Sequence, residues 1–131
     1  MIVIDASAFL ELLLRTPAGV RAESALISDV AVAPALLDAE VLHRLLGFEK
    51  SDVLSDDEVD VMVQLLAGAA VQRLDHRPLL SVARHMGGAL SGYDALYAAA
   101  ARSLDATLVT GDRRLARTAA EQFGLDVVDI T

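Results

Sequence analysis

Ile2-Val3-Ile4-Asp5-Ala6-Ser7-Ala8-Phe9-Leu10-Glu11-Leu12-Leu13-Leu14 opens the chain with the transition that decides the fold. Three β-branched residues form a short strand pattern that stops at Asp5-Ala6-Ser7. Helical periodicity follows at once, with Phe9, Leu10, Leu13 and Leu14 at i, i+1, i+4 and i+5. A buried strand feeding directly into a helix is the first half of a parallel βα unit.

The same alternation continues downstream. Thr16-Pro17 breaks the first helix, and Pro17 suits the first turn of a second one reaching about Leu26. Asp29 to Ala33 reads as a strand ended by Pro34, and a helical pattern from about Ala35 to Lys50 follows, with Leu37, Val41 and Leu45 on one face. Ser55-Asp56-Asp57-Glu58 is a helix start, with a Ser cap, an acid three residues on and negative charge in the first turn. That helix runs to Ala67 and stops at Gly68. Val71 to Leu74 is a weaker strand, Pro78 to Met86 is helical, and Ser91-Gly92-Tyr93-Asp94 opens an alanine-rich helix to about Leu104. Thr107 to Val109 is a fourth strand, Gly111-Asp112 a turn, Arg113 to Phe123 a helix, and Asp126 to Ile130 a last strand. Strands alternating with helices of this length predict a three-layer α/β/α sandwich around a mainly parallel sheet.

Composition agrees. The chain has 131 residues, the size of one domain, so residues 1–131 are expected to form a single unit. A hydrophobic fraction of 54% and a mean hydropathy of +0.46 exclude intrinsic disorder. The longest apolar run, Ala95 to Ala101, is far short of the roughly 20 residues a membrane span needs, so no membrane partner is expected. The N-terminus lacks a basic segment and a cleavable apolar stretch, and there is no cysteine; a cytoplasmic location is the expectation. Eleven Lys+Arg against nineteen Asp+Glu give a net charge of −8, which argues against generic nucleic-acid binding through a basic footprint. A polyanionic substrate would need a local arginine cluster or metal ions.

Parallel sheets place ligand sites at the carboxyl ends of their strands. Asp5 and Ser7 follow the first strand, and Thr110-Gly111-Asp112 follow the fourth. Glu40 lies about 60° from Leu37 around its helix, on the flank of the buried stripe. Asp94 shares a face with Ala98 and Ala101, which let its helix approach the sheet closely. Converged carboxylates repel by about 4 kcal/mol per pair at about 4 Å and an effective dielectric of about 20. Protons or a cation must offset that repulsion. An all-oxygen set without His or Cys suits Mg²⁺, with Mn²⁺ as a substitute, and such ions serve phosphodiester hydrolysis.

Four segments taken together, Asp5-Ala6-Ser7, Pro34 to Val41, Tyr93 to Ala101 and Leu108 to Asp112, resemble the PIN domain family, and within it the VapC-like toxins of toxin–antitoxin pairs. The resemblance spans residue 2 to about 129. It implies a Mg²⁺-dependent endoribonuclease on a five-stranded sheet, a homodimer, and a cognate antitoxin that covers the site. The family's acids map onto Asp5, Glu40, Asp94 and Asp112 as catalytic and metal-binding residues, and its small hydroxyl positions onto Ser7 and Thr110. Relatives often carry Asn where this chain has His43.

Each residue also has a plainer reading. Asp5 and Asp112 are natural helix caps, and Asp94 is a first-turn acid with Ser91 as cap. Glu40, a single acid in a long helix, also reads as solvated, and Asp38, two residues earlier, is a solvated-face acid and the fallback for it. Arg113, Arg114 and Arg117 form a solvated helix face from which Arg114 could contact a phosphate, giving Ser7, Thr110 and Arg114 as the substrate-binding set. His43, His76 and His85 lack metal spacing and read as boundary residues, with His43 a potential substrate contact. Tyr97 reads as packing, and Tyr93 as packing or a base-stacking surface. A receiver-type phosphoryl-transfer domain is set aside, because it wants paired acids after its first strand and a lysine after a later one. Here Asp5 stands alone and the sole lysine is Lys50. A binding module that keeps the fold without catalysis, favoured by the acidic balance, is the competing class.

Overall fold

The computed structural model describes residues 1–131. Strands β1 (Ile2–Ile4), β2 (Ala31–Pro34), β3 (Val71–Leu74), β4 (Thr107–Thr110) and β5 (Val127–Asp129) form one sheet in the order β3-β2-β1-β4-β5, every neighbouring pair parallel. Helices α1 (Ala6–Leu14) and α2 (Pro17–Ile27) connect β1 to β2. Helices α3 (Leu36–Lys50) and α4 (Asp56–Ala67) connect β2 to β3. The chain then passes through α5 (Leu80–Met86) and α6 (Gly92–Leu104) to β4, and through α7 (Arg113–Phe123) to β5. The first two crossovers step one way across the sheet and the last two step back. Right-handed connections therefore put α1–α4 on one face and α5–α7 on the other, the expected three-layer sandwich.

Local chemistry explains the element ends. Ser55 and Glu58 form the reciprocal capping box at α4. Asp5, Ser91 and Asp112 cap α1, α6 and α7. Arg15 and Asp105 adopt left-handed backbone at the ends of α1 and α6, and Gly124 does so after α7. Several boundaries lie one or two residues from the sequence reading, among them the start of β2 at Ala31, the end of β4 at Thr110 and both ends of β5, and the two prolines account for the others. Pro78 opens a single 3₁₀ turn, Arg77–Leu79, and the α-helix begins only at Leu80. Pro34 belongs to β2 instead of ending it. The Ala35 N–H donates across to Leu74 O at 2.9 Å, so the preceding Pro34 turns its nitrogen toward β1, where paired register stops at Val32. The missing N–H costs no ladder bond there.

The core is one cluster on both faces of the sheet. It includes Val3, Ile4, Val32, Leu37, Val41, Leu45, Leu108 and the run Ala98–Ala101, all fully buried. Between α1 and α2 the backbones nearly touch: a methyl at Gly19 would lie 2.2 Å from Glu11 O.

Candidate active site

Strand order reverses between β1 and β4, and their carboxyl ends are the switch point where such sheets hold ligands. Asp5 follows β1 and is 4% exposed. Its Oδ1 accepts the Ala8 N–H at 2.9 Å, capping α1, and the Ser7 hydroxyl at 2.7 Å. Its Oδ2 accepts the hydroxyl of Thr110, the last residue of β4. Ser7 Oγ in turn accepts the Gly111 N–H at 2.9 Å, and Thr110 Oγ1 accepts the Asp112 N–H at 3.0 Å. The two loops are thus sewn together by hydroxyls. A carboxylate offers about four lone-pair sites, so Asp5 caps its helix and still keeps one site on Oδ2.

A hollow of about 420 Å³ opens above this stitching, and Asp5, Glu40, Asp94 and Asp112 all line it. Glu40 comes from α3 on one face of the sheet and Asp94 from α6 on the other, so the hollow straddles the sheet edge. The start of α3 has no side-chain cap at Ala35. Instead the Leu36 N–H donates to His76 Nε2 at 2.9 Å, fixing the helix that carries Glu40. Asp112 Oδ1 caps α7 through the Arg114 and Leu115 N–H groups, which leaves Oδ2 for the hollow.

Burial sets the electrostatics. It pushes the Asp5 carboxyl up to about 6, against the opposing pull of the Thr110, Ala8 and Ser7 donors and with a further push from Asp94. Burial also raises Glu40; the nearby Tyr97 hydroxyl and Arg44 oppose the rise, and Asp94 adds to it. Asp94 is raised by burial and then by Asp112, with Ser91 and Arg114 pulling it back. All three acids are held toward their neutral forms, as a cluster lacking a counter-charge must be.

An all-oxygen donor set fits a hard divalent cation. Glu40 Oε1 is buried and has no hydrogen-bond partner. No three of these acids bring oxygens mutually within 4.8 Å. Asp56, Asp57 and Asp60 on α4 alone do so, and they are exposed near the start of that helix. The wider pocket spacing suits Mg²⁺, which keeps several waters and takes only one or two carboxylates directly.

Of the expected substrate set, Thr110 is 0% exposed and its hydroxyl is given to Asp5. Ser7 lines the hollow, but its single O–H proton is already given to Asp5. Arg114 is exposed outside the hollow and influences Asp94 by charge alone. Asp38 faces away, bridged to Arg73 at 2.9 Å, whose guanidinium also reaches the carbonyls of Leu66, Ala69 and Val71. His43 and Tyr93 do line the hollow, the latter 61% exposed at its mouth. Two lining residues escaped the sequence reading of the site. Arg44 lies four residues after Glu40 and Tyr97 three after Asp94, spacings that share a helix face and could have revealed both.

A parallel α/β protein with carboxylates from both faces gathered at its strand-order reversal carries there an all-oxygen donor set of the kind that suits a hard cation. The PIN domain model matches residues 2–121, and the chain belongs to that family, on its VapC-like branch. It is 33% identical over 128 residues to Ribonuclease VapC12 of Mycobacterium tuberculosis, covering 98% of this chain and 99% of that one. It is 37% identical over 117 residues to Ribonuclease VapC3 of the same species, covering 88% and 85%. Among solved structures, FitAcB from Neisseria gonorrhoeae shares the fold with a TM-score of 0.71 at 17% identity, over 99% of this chain and 98% of that one. PAE2754 from Pyrobaculum aerophilum shares it at 0.64 and 21%, over 98% and 90%.

Proposed function

We propose that this chain is a Mg²⁺-dependent endoribonuclease, with Mn²⁺ as a substitute, that acts as the toxin of a toxin–antitoxin pair. The observation that carries the reading is the convergence of Asp5, Glu40, Asp94 and Asp112 on one hollow, with a Glu40 oxygen left unpartnered. RNA as substrate rests on kinship with proteins named ribonucleases. Residues 1–131 act as one unit in this reading, placed in the cytoplasm with the cell's RNA.

Asp5, Glu40, Asp94 and Asp112 would hold the ion. A divalent ion bound there supplies Lewis acidity to a phosphodiester and a more acidic water. The chain contributes the rest. Ser7 and Thr110 keep Asp5 oriented and favour its ionised form. Glu40 and Asp94, on helices from opposite faces of the sheet, would present carboxylate oxygens to the ion and to a water beside it. Arg44 and His43 at the wall give a phosphate its cationic and hydrogen-bonding partners, and the exposed Tyr93 ring gives a base a stacking surface. Arg114, exposed outside the hollow, would add a second cation for the phosphate backbone.

Partners follow the same reading. An antitoxin bearing an arginine would neutralise the acids and cover the hollow. A homodimer would bury apolar side chains of the first two helices. Beside them a second hollow of about 660 Å³, lined by Phe9, Leu12, Leu13, Val20, Leu26 and Leu65 among others, leaves apolar surface open. Light scattering on the purified chain reads the dimer directly.

The decisive experiment is cleavage of a cellular RNA pool with Mg²⁺ or Mn²⁺, against EDTA and Asp94→Asn. Discrete metal-dependent cuts lost in the variant support the nuclease. A folded, inhibitor-free protein that makes no cuts favours a binding module, the reading that the charge of −8 supports.

A further inference from the structure

Tyr97 is the one polar side chain at this site that is buried, unpartnered and unused by the mechanism above. It is 1% exposed, on a helix whose Ala98–Ala101 run is likewise buried. Its hydroxyl makes no hydrogen bond, and neither does the buried Glu40 Oε1 close to it. Buried tyrosine hydroxyls ordinarily find a partner. Here an acceptor and a donor of matching chemistry stand side by side, each unsatisfied, on two helices from opposite faces of the sheet.

Resting on the metal-site reading above, we propose that Tyr97 is a positioning residue for Glu40. Its hydroxyl donates to one carboxylate oxygen of Glu40 when the other turns to a divalent cation in the hollow. Metal-ligating carboxylates need such a partner to fix their direction, and losing it costs about 10- to 100-fold in metal affinity. The ring's burial supplies the rigidity, because α6 holds Tyr97 by packing while Glu40 is only half-buried and free to turn. In the metal-free protein neither atom has a hydrogen-bond partner.

The test is Mn²⁺ affinity, read from the electron paramagnetic resonance of free Mn²⁺, for the wild type, Tyr97→Phe, Glu40→Gln and the double variant. Phe keeps the ring and its packing. The proposal expects Tyr97→Phe to bind Mn²⁺ about 10-fold more weakly, with the metal-free melting temperature unchanged or higher, and expects no further loss on adding it to Glu40→Gln. Equal affinity in wild type and Tyr97→Phe overturns the proposal alone. If Tyr97→Phe lowers the metal-free melting temperature, the cycle decides: an additive loss in the double variant overturns the proposal, and a non-additive one supports it. A wild type that binds no Mn²⁺ overturns the metal-site reading and this proposal with it.

Discussion

Thr110, the last residue of β4, donates its hydroxyl to Oδ2 of Asp5, the first residue after β1. That single contact joins the ends of the two central strands where the order of connections reverses. It also explains how a 96%-covered carboxylate can exist there, since three donors replace the water it has lost. Removing the donor while keeping the shape should therefore expose the cost of burying the charge. Thr110→Val is expected to destabilise the protein by about 1–3 kcal/mol at neutral pH, in the range of hydrogen bonds to charged groups. The loss should shrink near pH 4, where Asp5 is protonated. Urea denaturation at the two pH values measures it, and an equal loss at both would contradict the role given to the hydroxyl.

Asp5 itself burdens the metal-free fold. Its carboxyl is raised from an ordinary 3.8 to about 6 in the folded protein. For a raised group the stabilising contribution is complete below the unfolded value and is lost as pH rises through the folded one. Metal-free wild type should thus lose stability between about pH 4 and pH 6, with Glu40 and Asp94 acting in the same direction. Asp5→Asn is expected to be more stable than wild type at pH 7 by on the order of 1–3 kcal/mol, the gap closing toward pH 4. Thermal melts in EDTA across that window test the sign.

Divalent ions should reverse that burden. A ligand of the native state present at about 100 times its dissociation constant adds about 2.7 kcal/mol. Mg²⁺ or Mn²⁺ is expected to raise the melting temperature of wild type, and EDTA to return it. Asp94→Asn should lose most of that response, whereas Asp56→Asn and Asp60→Asn in the solvated α4 cluster should keep it. A response that follows the α4 substitutions would place the ion on the wrong helix.

Gly19 tests the packing of the first crossover. A Cβ there would lie 2.2 Å from Glu11 O and 2.6 Å from Glu11 C, both backbone atoms that cannot swing aside. Gly19→Ala is expected to cost about 1–3 kcal/mol or more, despite alanine's better helix propensity. Gly47→Ala, with nothing within 4 Å, is the control and should be neutral or mildly stabilising. Parallel denaturation curves of the two variants give the comparison.

Much of this protein is written locally in its chain. The strand–helix alternation and the caps at Asp5, Ser55, Ser91 and Asp112 follow from periodicity and capping, which act over a few residues. Parallel topology then brings residues after β1 and β4 to one edge, so the neighbourhood of Asp5 and Asp112 is legible as well. What the sequence left open depends on the height and rotation of helices from opposite faces. Asp38 and Glu40 are two residues apart on α3, yet one is bridged to Arg73 and the other turns into the hollow. Thr110 and Ser7 look alike as small hydroxyls, but only the packing of β4 seals Thr110 away and makes it a support for Asp5. Arg44 at the wall, His76 at the start of α3 and Tyr97 beside Glu40 took their places the same way. Tertiary packing determines which oxygen is covered, which is shared and which is left without a partner, and no local pattern encodes that.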